Sequence, residues 1–302
     1  MHLPSVRQLQ YLLAVVELRH FGKAAERCFV TQSTLSTGIQ ELENMLGACL
    51  LERTKRKVIP TALGLEIADK ARQVLLTSSQ ILELANSQQP PMIGKLKLGV
   101  IPTIAPFLLP KVLPALRTQF PALELFLIED QSAHLLQRLD FGEIDCAIFA
   151  LPYELNKYEC QRFFQEDFYV AFPVNHPLSQ GGPICSDELP VEELLMLEDG
   201  HCFKDHALSA CHFSGLVQKA AFQGTSLYTL IEMVAGNQGI TFLPAMAIDS
   251  SLTQQARISL RPLAETGPHR EIGLVWRPTF HRKRDLQLLT DFMASELTAA
   301  QN

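Results

Sequence analysis

The segment Thr31-Gln32-Ser33-Thr34-Leu35-Ser36-Thr37-Gly38-Ile39, residues 31–39, decides the architecture of the first part of the chain. Thr31 is a typical helix N-cap residue, and apolar side chains recur behind it at helical spacing as far as Leu46. A shorter helix is predicted over residues 23–29, before a short turn. Two helices in this arrangement, with a polar face left open, are typical of a helix-turn-helix.

The exposed start of the second helix carries the candidate base-contacting residues, because the N-terminal part of a recognition helix meets base edges in the major groove. They are Gln32, Ser33, Thr34, Ser36 and Thr37. A hairpin is predicted over residues 51–60, and its cations are candidates for phosphate contacts. These cations are Arg53, Lys55, Arg56 and Lys57. Taken alone, the two segments also fit a polar surface helix and a solvated basic loop.

A helix precedes this motif and a longer one follows it. Residues 6–18 place their apolar side chains on one face. Residues 61–88 are predicted as a single helix with a seam at steps of 4, 3, 4, 3 and 4. The seam residues are Ile67, Ala71, Val74, Ser78, Ile81 and Ala85. A heptad seam predicts a dimer through this helix, and Pro90-Pro91 predicts that a hinge follows it.

Charge is distributed unevenly along the 302 residues, which carry a net charge of −6. Residues 1–60 contain eight Lys or Arg and five Asp or Glu, a balance of +3, so the other 242 residues carry −9. A basic first part on an acidic body is typical of a nucleic-acid-binding domain joined to a regulatory domain.

Composition places the chain among globular proteins, with 47% hydrophobic and 19% charged residues. We expect a cytoplasmic protein that does not enter a membrane, since neither a long apolar run nor a signal-peptide pattern is present. In that compartment the seven cysteines are expected to be reduced. No short-spaced Cys/His cluster predicts a metal site, and no cofactor is expected.

From Gly94 onwards the hydrophobic pattern alternates between strands and helices. Strands are predicted near residues 95–101, 123–128 and 145–150, with helices over 106–120 and 132–141 between them. Such alternation predicts a parallel α/β sheet. A second unit follows, with strands predicted near 168–172, 194–197 and 239–243. The chain then returns to the first unit through a strand at 272–276 and a final helix from Arg284.

Two cysteines nine positions apart, Cys202 and Cys211, lie in the polar segment 197–211 of the second unit. Two histidines and Lys204 lie close to Cys202, and cations beside a thiol favour the nucleophilic thiolate. Residues 203–211 can form a helix, which would place Cys202 near its positive end. Asp199 and Asp205 oppose this effect, so composition alone leaves the thiol pKa open.

The spacing of these two cysteines has a structural consequence. An unbroken helix would hold their Cα atoms about 13.5 Å apart, whereas a disulfide requires about 7 Å or less. A bond between them would therefore require refolding, and two arrangements selected by a covalent bond form a switch. The alternative is a pair of ordinary buried thiols. Of the remaining cysteines, Cys146 and Cys28 are expected in cores, and Cys49, Cys160 and Cys185 have no activating pattern.

Several spaced motifs give residues 1–90 a specific resemblance to the winged-helix head and linker helix of LysR-type transcriptional regulators. The matching segments are residues 21–27, 30–36, 41–43, 46–47, 51–53 and 60–64. Thr37-Gly38 departs from the family pattern, in which many members carry a cation or glutamine. Glycine at this position costs the recognition helix roughly 1 kcal/mol.

The resemblance implies an α/β fold with an N-terminal all-α winged helix-turn-helix and a two-lobed, periplasmic-binding-protein-like effector domain. The expected divisions are a DNA-binding domain over 1–60, a linker helix and hinge over 61–91, and the effector domain over 92–302. Lobe I is expected to comprise 92–165 and 268–302, and lobe II 166–267. Such lobes hold a site in the cleft between them.

Over essentially its whole length the chain resembles the hydrogen-peroxide-sensing members of this family. The segments that carry this resemblance are residues 101–106, 200–205 with Cys211, 225–227, 239–244 and 270–275. It implies that peroxide oxidises Cys202 and that Cys211 resolves the product to a disulfide. The residues implied to bind or activate peroxide are Thr103, Ser132, His201, Asp205 and Arg270. Related proteins carry threonine where this chain has Ser132, and commonly arginine where it has Lys204.

The implied function is control of oxidative-stress genes, as activator or repressor, and not enzymatic turnover. The expected partners are double-stranded promoter DNA, RNA polymerase, hydrogen peroxide as signal, a thiol reductant that resets the switch, and further copies of the chain in a dimer of dimers. Two alternatives remain open. One is a LysR-type regulator that binds a small metabolite between its lobes. The other is a thiol peroxidase, against which the DNA-binding head argues.

Overall fold

The computed structural model describes residues 3–53, 58–85, 90–211, 223–224 and 226–299. The predicted wing-tip cations Lys55, Arg56 and Lys57 lie outside these residues, as do Thr225 and the side chain of Arg53. The chain divides into two compact units, Met1–Gln88 with Asp140–Gly142 and Gln89–Leu139 with Glu143–Asn302.

The first unit begins with three helices, α1 (Val6–Leu18), α2 (Phe21–Arg27) and α3 (Gln32–Leu46). The Thr31 hydroxyl accepts a hydrogen bond from the Thr34 backbone N–H, and α3 ends at Gly47 in the left-handed conformation. The apolar face of α3 lies in a core with α1, where Leu12, Leu35 and Ile39 are fully buried. The predicted helix-turn-helix is therefore confirmed. Gly38 faces Tyr11, whose ring occupies the space that a larger side chain would need.

The predicted hairpin is also present, as β1 (Leu51–Arg53) paired antiparallel with β2 (Val58–Pro60). The buried Glu43 carboxylate on α3 accepts hydrogen bonds from the backbone N–H groups of Leu50 and Leu51, at 2.8 and 3.1 Å. These bonds satisfy two backbone N–H groups that are buried at the start of the hairpin. They fix the hairpin to the end of the recognition helix.

The linker helix is α4 (Ala62–Ala85), close to its predicted extent. The predicted dimer seam does not lie on one free face of it. Ala71 is 2% exposed and belongs to the core of the first unit, against which Ile67 also packs. Val74 and Ile81 are 49% and 67% exposed. The N-terminal part of the seam, at Ile67 and Ala71, therefore packs against the core of this chain's own first unit, because this part of α4 lies on α1.

Beyond residue 90 the strands are β3 (Gly94–Val100), β4 (Leu123–Glu129), β5 (Cys146–Leu151), β6 (Glu159–Glu166), β7 (Phe168–Pro173), β8 (Met196–Leu197), β9 (Gln223–Gly224), β10 (Thr241–Pro244), β11 (Ile258–Pro262) and β12 (Arg270–Trp276). The α-helices are α5 (Ala105–Gln119), α6 (Ser132–Asp140), α7 (Cys202–Ala210), α8 (Leu227–Ala235), α9 (Ala245–Ile248), α10 (Ser251–Gln255) and α11 (Lys283–Ala299). Each predicted strand and helix is present within a few residues. The strands β6, β9 and β11 and the helices α8, α9 and α10 were not predicted.

Two sheets organise these elements. The larger has the order β4-β3-β5-β12-β6, and the smaller has the order β10-β7-β11. The prediction of a parallel sheet is correct for β3, β4 and β5. The sequence predicts no direction for the other strands: β12 runs antiparallel to both β5 and β6, and the smaller sheet is antiparallel. Periodicity shows that a strand is buried, but strand direction depends on where the chain re-enters the sheet.

The chain passes from the larger to the smaller sheet between β6 and β7, which Asp167 alone separates. It returns between β11 and β12. Arg270 at the start of β12 is therefore the register partner of Glu166 at the end of β6. Among the described residues, no helix is long and apolar enough to cross a membrane.

We predict that Gly64→Ala destabilises the first unit by about 2 kcal/mol, the usual scale of overpacking. An added Cβ would lie 2.1 Å from the Leu50 carbonyl oxygen, so α4 and the hairpin would have to separate. Without this contact, alanine would stabilise the helix by about 1 kcal/mol relative to glycine. The sign of the change in the free energy of unfolding therefore tests whether the contact matters. Urea unfolding followed by circular dichroism measures it. The exposed α4 variant Lys70→Ala should stay within about 0.5 kcal/mol of wild type.

Candidate functional site

Cys202 is the first residue of helix α7, and Cys211 follows its last residue. Both thiols are free and buried. The Cys211 backbone N–H still donates to the Ala207 carbonyl at 3.1 Å, so the helix is intact as far as this cysteine. The predicted helix is therefore confirmed to within one residue. An intact helix of this length holds the two Cα atoms about 13.5 Å apart.

The Cys202 thiol borders a tightly packed cavity that has no room for a water-sized molecule in this conformation. The residues that line it are Ile101, Pro102, Thr103, Gln131, Ser132, Gly200, His201 and Cys202. The structure thus brings together four of the predicted site residues, from three separate parts of the sequence. Pockets for metabolite-sized ligands usually measure about 300–1,000 Å³, so this cavity is far too small for such a ligand. Even a molecule of a few atoms would enter it only after a small local opening.

Ser132, the first residue of α6, makes the direct contact with the sulfur. Its Oγ lies 3.6 Å from Cys202 Sγ and donates to it. Burial raises the pKa of the Cys202 thiol, while the hydrogen bond from Ser132 and the positive charge of Arg270 act in the opposite direction. The net effect is a raised pKa, so the reduced protein holds Cys202 mainly as the thiol at pH 7.

Arg270 supports this cavity from a fully buried position. Its guanidinium lies 2.6 Å from the buried Glu166 carboxylate. It also donates to Thr103 Oγ1 and to the Thr103 carbonyl, both at 3.2 Å. Because Thr103 Oγ1 already accepts this bond, its own hydroxyl hydrogen can point into the cavity. The aromatic ring of Phe203 lies 5.2 Å from the guanidinium carbon, which completes the cage.

The opposite wall is formed by Gln131, Gly200 and His201. The Gln131 side-chain nitrogen lies 3.3 Å from a Glu198 carboxylate oxygen and 3.4 Å from His201 Nε2. Burial lowers the pKa of His201, so its imidazole is neutral at pH 7. Gly200 has a φ of +101°, and a Cβ there would lie 2.7 Å from Gln131 Oε1. The backbone conformation therefore favours glycine at this position.

The polar neighbours of Cys202 differ in how they can act on the thiol. Lys204 does not supply its charge to the thiol, because its ammonium lies 2.6 Å from the Asp199 carboxylate. His201 is neutral, as described above. Asp205 is on the exposed side of α7, outside the residues that line the cavity, and its charge opposes a thiolate at Cys202. The cation that favours the thiolate is Arg270, which is distant in sequence.

Glu166 and Gln131 are site residues that sequence reasoning did not identify. Glu166 carries the charge that allows Arg270 to be buried, and Gln131 positions His201. Glu166 could have been found from its place at the end of an alternating strand, had β6 been recognised. Gln131 carries no sequence signal beyond its position beside Ser132.

The predicted DNA-contacting residues lie on the first turns of α3. Gln32, Ser33, Thr34 and Thr37 are exposed, and Ser36 is half-buried. The Thr31 hydroxyl is 2.9 Å from that of Ser33 and 2.8 Å from that of Thr34, so these two are partly engaged in capping. Gln32 and Thr37 therefore present the most available polar groups on this surface.

The other cysteines lie apart from the cavity. Cys146 is fully buried and Cys28 packs partly against the core of the first unit, which confirms both expectations. Cys49, Cys160 and Cys185 are exposed. Within the described ranges, no group of three or more His, Cys, Asp or Glu side chains is placed to hold a metal ion.

Comparison with known families matches both parts of the chain. Residues 6–65 match the bacterial regulatory helix-turn-helix protein, lysR family, and residues 91–298 match the LysR substrate binding domain. The DNA-binding transcriptional dual regulator OxyR of Escherichia coli K12 is 43% identical over 91% of this chain and 90% of its own length. The hydrogen peroxide-inducible genes activator of Haemophilus influenzae is 42% identical over 91% of both chains.

Solved structures give the same result. A full-length cysteine-to-aspartate variant of OxyR from Pseudomonas aeruginosa has a TM-score of 0.78 and 35% identity, over 97% of this chain and 98% of that one. A hydrogen-peroxide-bound cysteine-to-serine mutant of OxyR from Corynebacterium glutamicum has a TM-score of 0.67 and 30% identity, over 99% and 94%.

We predict that Glu166→Gln lowers the free energy of unfolding of the second unit by about 3 kcal/mol, because it leaves the Arg270 charge buried and unpaired. The single tryptophan, Trp276, lies in β12 and reports this unfolding by its fluorescence. The matched control is Glu271→Gln, whose carboxylate is 2.9 Å from the exposed Arg162. Its loss should be below about 1 kcal/mol. Equal losses would contradict the structural role assigned to the buried pair.

Proposed function

Because the chain belongs to the LysR family of transcriptional regulators, we propose that it binds promoter DNA and responds to hydrogen peroxide through Cys202 and Cys211. The observation that carries this proposal is the placement of the Cys202 sulfur against the Ser132 hydroxyl in a tightly packed cavity. Such a cavity is too small for a typical metabolite, whereas a peroxide molecule would need only a small local opening to reach the sulfur. It therefore disfavours the metabolite-sensing alternative.

The first chemical step is attack by the Cys202 thiolate on one peroxide oxygen. A sulfur–oxygen bond forms, the oxygen–oxygen bond breaks, and the other oxygen leaves as hydroxide, which takes up the thiol proton as water. Hydroxyl groups of Ser132 and Thr103 hold the peroxide and stabilise the developing charge, and Arg270 contributes fixed positive charge. Cys202 becomes a sulfenic acid.

The second step is condensation of this sulfenic acid with the Cys211 thiol, which forms a disulfide and releases water. The geometry of α7 forbids this bond in the reduced fold, so the helix must unwind. The loop-entropy estimate for closing ten residues is roughly 2.7 kcal/mol. If the same free energy favours one of two folded forms over the other, it shifts the ratio of their populations roughly a hundredfold. A thiol reductant would reverse the change.

The proposed regulator acts as an oligomer. Val74 and Ile81 on α4 are exposed apolar residues, and so are Phe126 and Leu127 on β4. Because β4 is an edge strand of its sheet, its apolar side chains suit contact with another copy of the chain. A dimer of dimers on DNA, located in the cytoplasm and acting on RNA polymerase, is the arrangement that we propose. In this proposal each protein molecule reacts with peroxide once and changes conformation, and it does not turn peroxide over as an enzyme does.

We predict that Gln32→Ala weakens binding to a DNA site that the wild-type protein selects from genomic fragments. One lost base contact costs about 1–3 kcal/mol, or roughly 5- to 150-fold in affinity. Fluorescence anisotropy at fixed salt measures it. The control is Gln40→Ala on the same helix, which is also exposed but lies further from the helix start. If both variants bind like wild type, α3 does not enter the groove by its first turns.

We predict that Cys202→Ser abolishes the response to peroxide, because serine at neutral pH is no comparable nucleophile. Cys211→Ser should still form the sulfenic acid but not the disulfide. Ser132→Ala should slow oxidation, while Ser209→Ala, on the exposed side of α7, should not. Because the pKa of Cys202 is raised, oxidation should accelerate about tenfold per pH unit until that pKa is reached.

The measurement is timed alkylation after stoichiometric peroxide, followed by mapping of the bridges by mass spectrometry. Transcription from a responsive promoter is followed in parallel. A Cys202→Ser protein that still switches transcription at wild-type peroxide levels would overturn the thiol mechanism.

A further inference from the structure

Cys185, to which neither the sequence nor the proposed switch assigns a role, belongs to a segment that lies directly beside Cys211. The Ala264 N–H donates to the Ile184 carbonyl at 2.9 Å, and the Ser186 N–H donates to Glu265 Oε1 at 2.7 Å. The buried Ser186 Oγ then donates to the Cys211 carbonyl at 3.2 Å. This last bond joins the residue next to Cys185 to the end of α7.

These contacts limit the distance between the two cysteines. Bond lengths keep the Cα atoms of Ser186 and Cys211 within about 8 Å, and one further peptide step sets an upper limit of about 12 Å for that of Cys185. A disulfide requires about 7 Å or less, so the segment around Cys185 or the chain at Cys211 would have to shift for the bond to form. Because Cys211 lies just beyond the last residue of α7, such a local shift does not require the whole helix to unwind, as a bond from Cys202 does.

The two thiols also share an electrostatic environment. Desolvation and the carboxylates of Glu188, Glu265 and Asp187 raise the pKa of Cys185. Desolvation and the same Glu265 raise the pKa of Cys211 to about 12. One carboxylate thus acts on both sulfurs. Cys185 is exposed and Cys211 is buried, so an external reagent reaches Cys185 first.

We propose that Cys185 and Cys211 form a second thiol pair, which a low-molecular-weight disulfide such as oxidised glutathione converts to a protein disulfide without peroxide. The Cys185 thiolate attacks one glutathione sulfur, forms a mixed disulfide and releases one glutathione thiolate. The Cys211 sulfur then attacks the Cys185 sulfur and releases the second. The two glutathione thiolates take up the two protons that the protein thiols lose, and two electrons pass from the protein to glutathione.

This pair has a regulatory consequence that rests on the proposed function. While Cys211 is bonded to Cys185, it cannot resolve a sulfenic acid at Cys202. An excess of disulfides would therefore block closure of the peroxide switch. The same regulator would then distinguish peroxide from a general shift of the thiol–disulfide balance.

The test uses the full chain with Cys202→Ser, which removes the proposed peroxide chemistry. Treatment with oxidised glutathione, alkylation and peptide mapping should show glutathione on Cys185 first and a Cys185–Cys211 bridge later. The rate at which the Cys185–Cys211 bridge forms should rise about tenfold per pH unit between pH 7 and 9, since the Cys211 thiol must lose its proton before it attacks. Adding Cys185→Ser should abolish the bridge. Serine suits this position, because Cys185 precedes a short 3₁₀ turn, Ser186–Glu188, and serine is a common residue at the start of such a turn.

The matched control adds Cys160→Ser, which removes another exposed thiol and should leave the bridge intact. A glutathione adduct that persists on Cys185 beside a free Cys211 thiol across this pH range would overturn the proposal. So would equal loss of the bridge in the Cys160 control. Wild-type protein treated with peroxide alone tests the Cys202–Cys211 switch separately, so failure of one proposal is distinguishable from failure of the other. Pretreatment of wild type with oxidised glutathione should lower the yield of that second bridge.

Discussion

The buried ion pair between Arg270 and Glu166 is the interaction on which the candidate site depends. The two residues are register partners on β12 and β6, at the point where the chain crosses between its sheets. Each charge is costly to bury alone, and together they are stable because the guanidinium donates to the carboxylate and to Thr103. The pair therefore places both a hydrogen-bond donor and a positive charge beside the reactive thiol.

Helix α7 imposes the second constraint, since one element carries Cys202 at its start and Cys211 just after its end. While it remains helical, the thiols cannot meet, and burial keeps the pKa of both thiols raised. The reduced protein thus keeps the two thiols apart, with Cys202 in a cavity far too small for a metabolite-sized molecule. Under the proposed function, formation of the disulfide would require α7 to unwind, and this unwinding would be the conformational change.

The surroundings of Cys211 give this arrangement a further property. The same cysteine that would receive the bond from Cys202 is fixed by its carbonyl to Ser186, beside the exposed Cys185. If both proposals hold, Cys202 and Cys185 would compete for Cys211. Which bond forms would then depend on the oxidant, since peroxide would act on the buried thiol and larger disulfides on the exposed one.

The sequence by itself determined the helix-turn-helix, the linker helix and the strands of the larger sheet that alternate with helices, and it singled out Cys202, Thr103 and Ser132, which the structure brings together. Local periodicity, capping residues and spaced motifs carry this information, because they depend on near neighbours. Only the tertiary structure decided that β12 runs antiparallel, that Lys204 pairs with Asp199, and that Arg270 is the cation beside the thiol. These features depend on which distant residues meet across a packed core, where burial and pairing determine the charge that each group can keep.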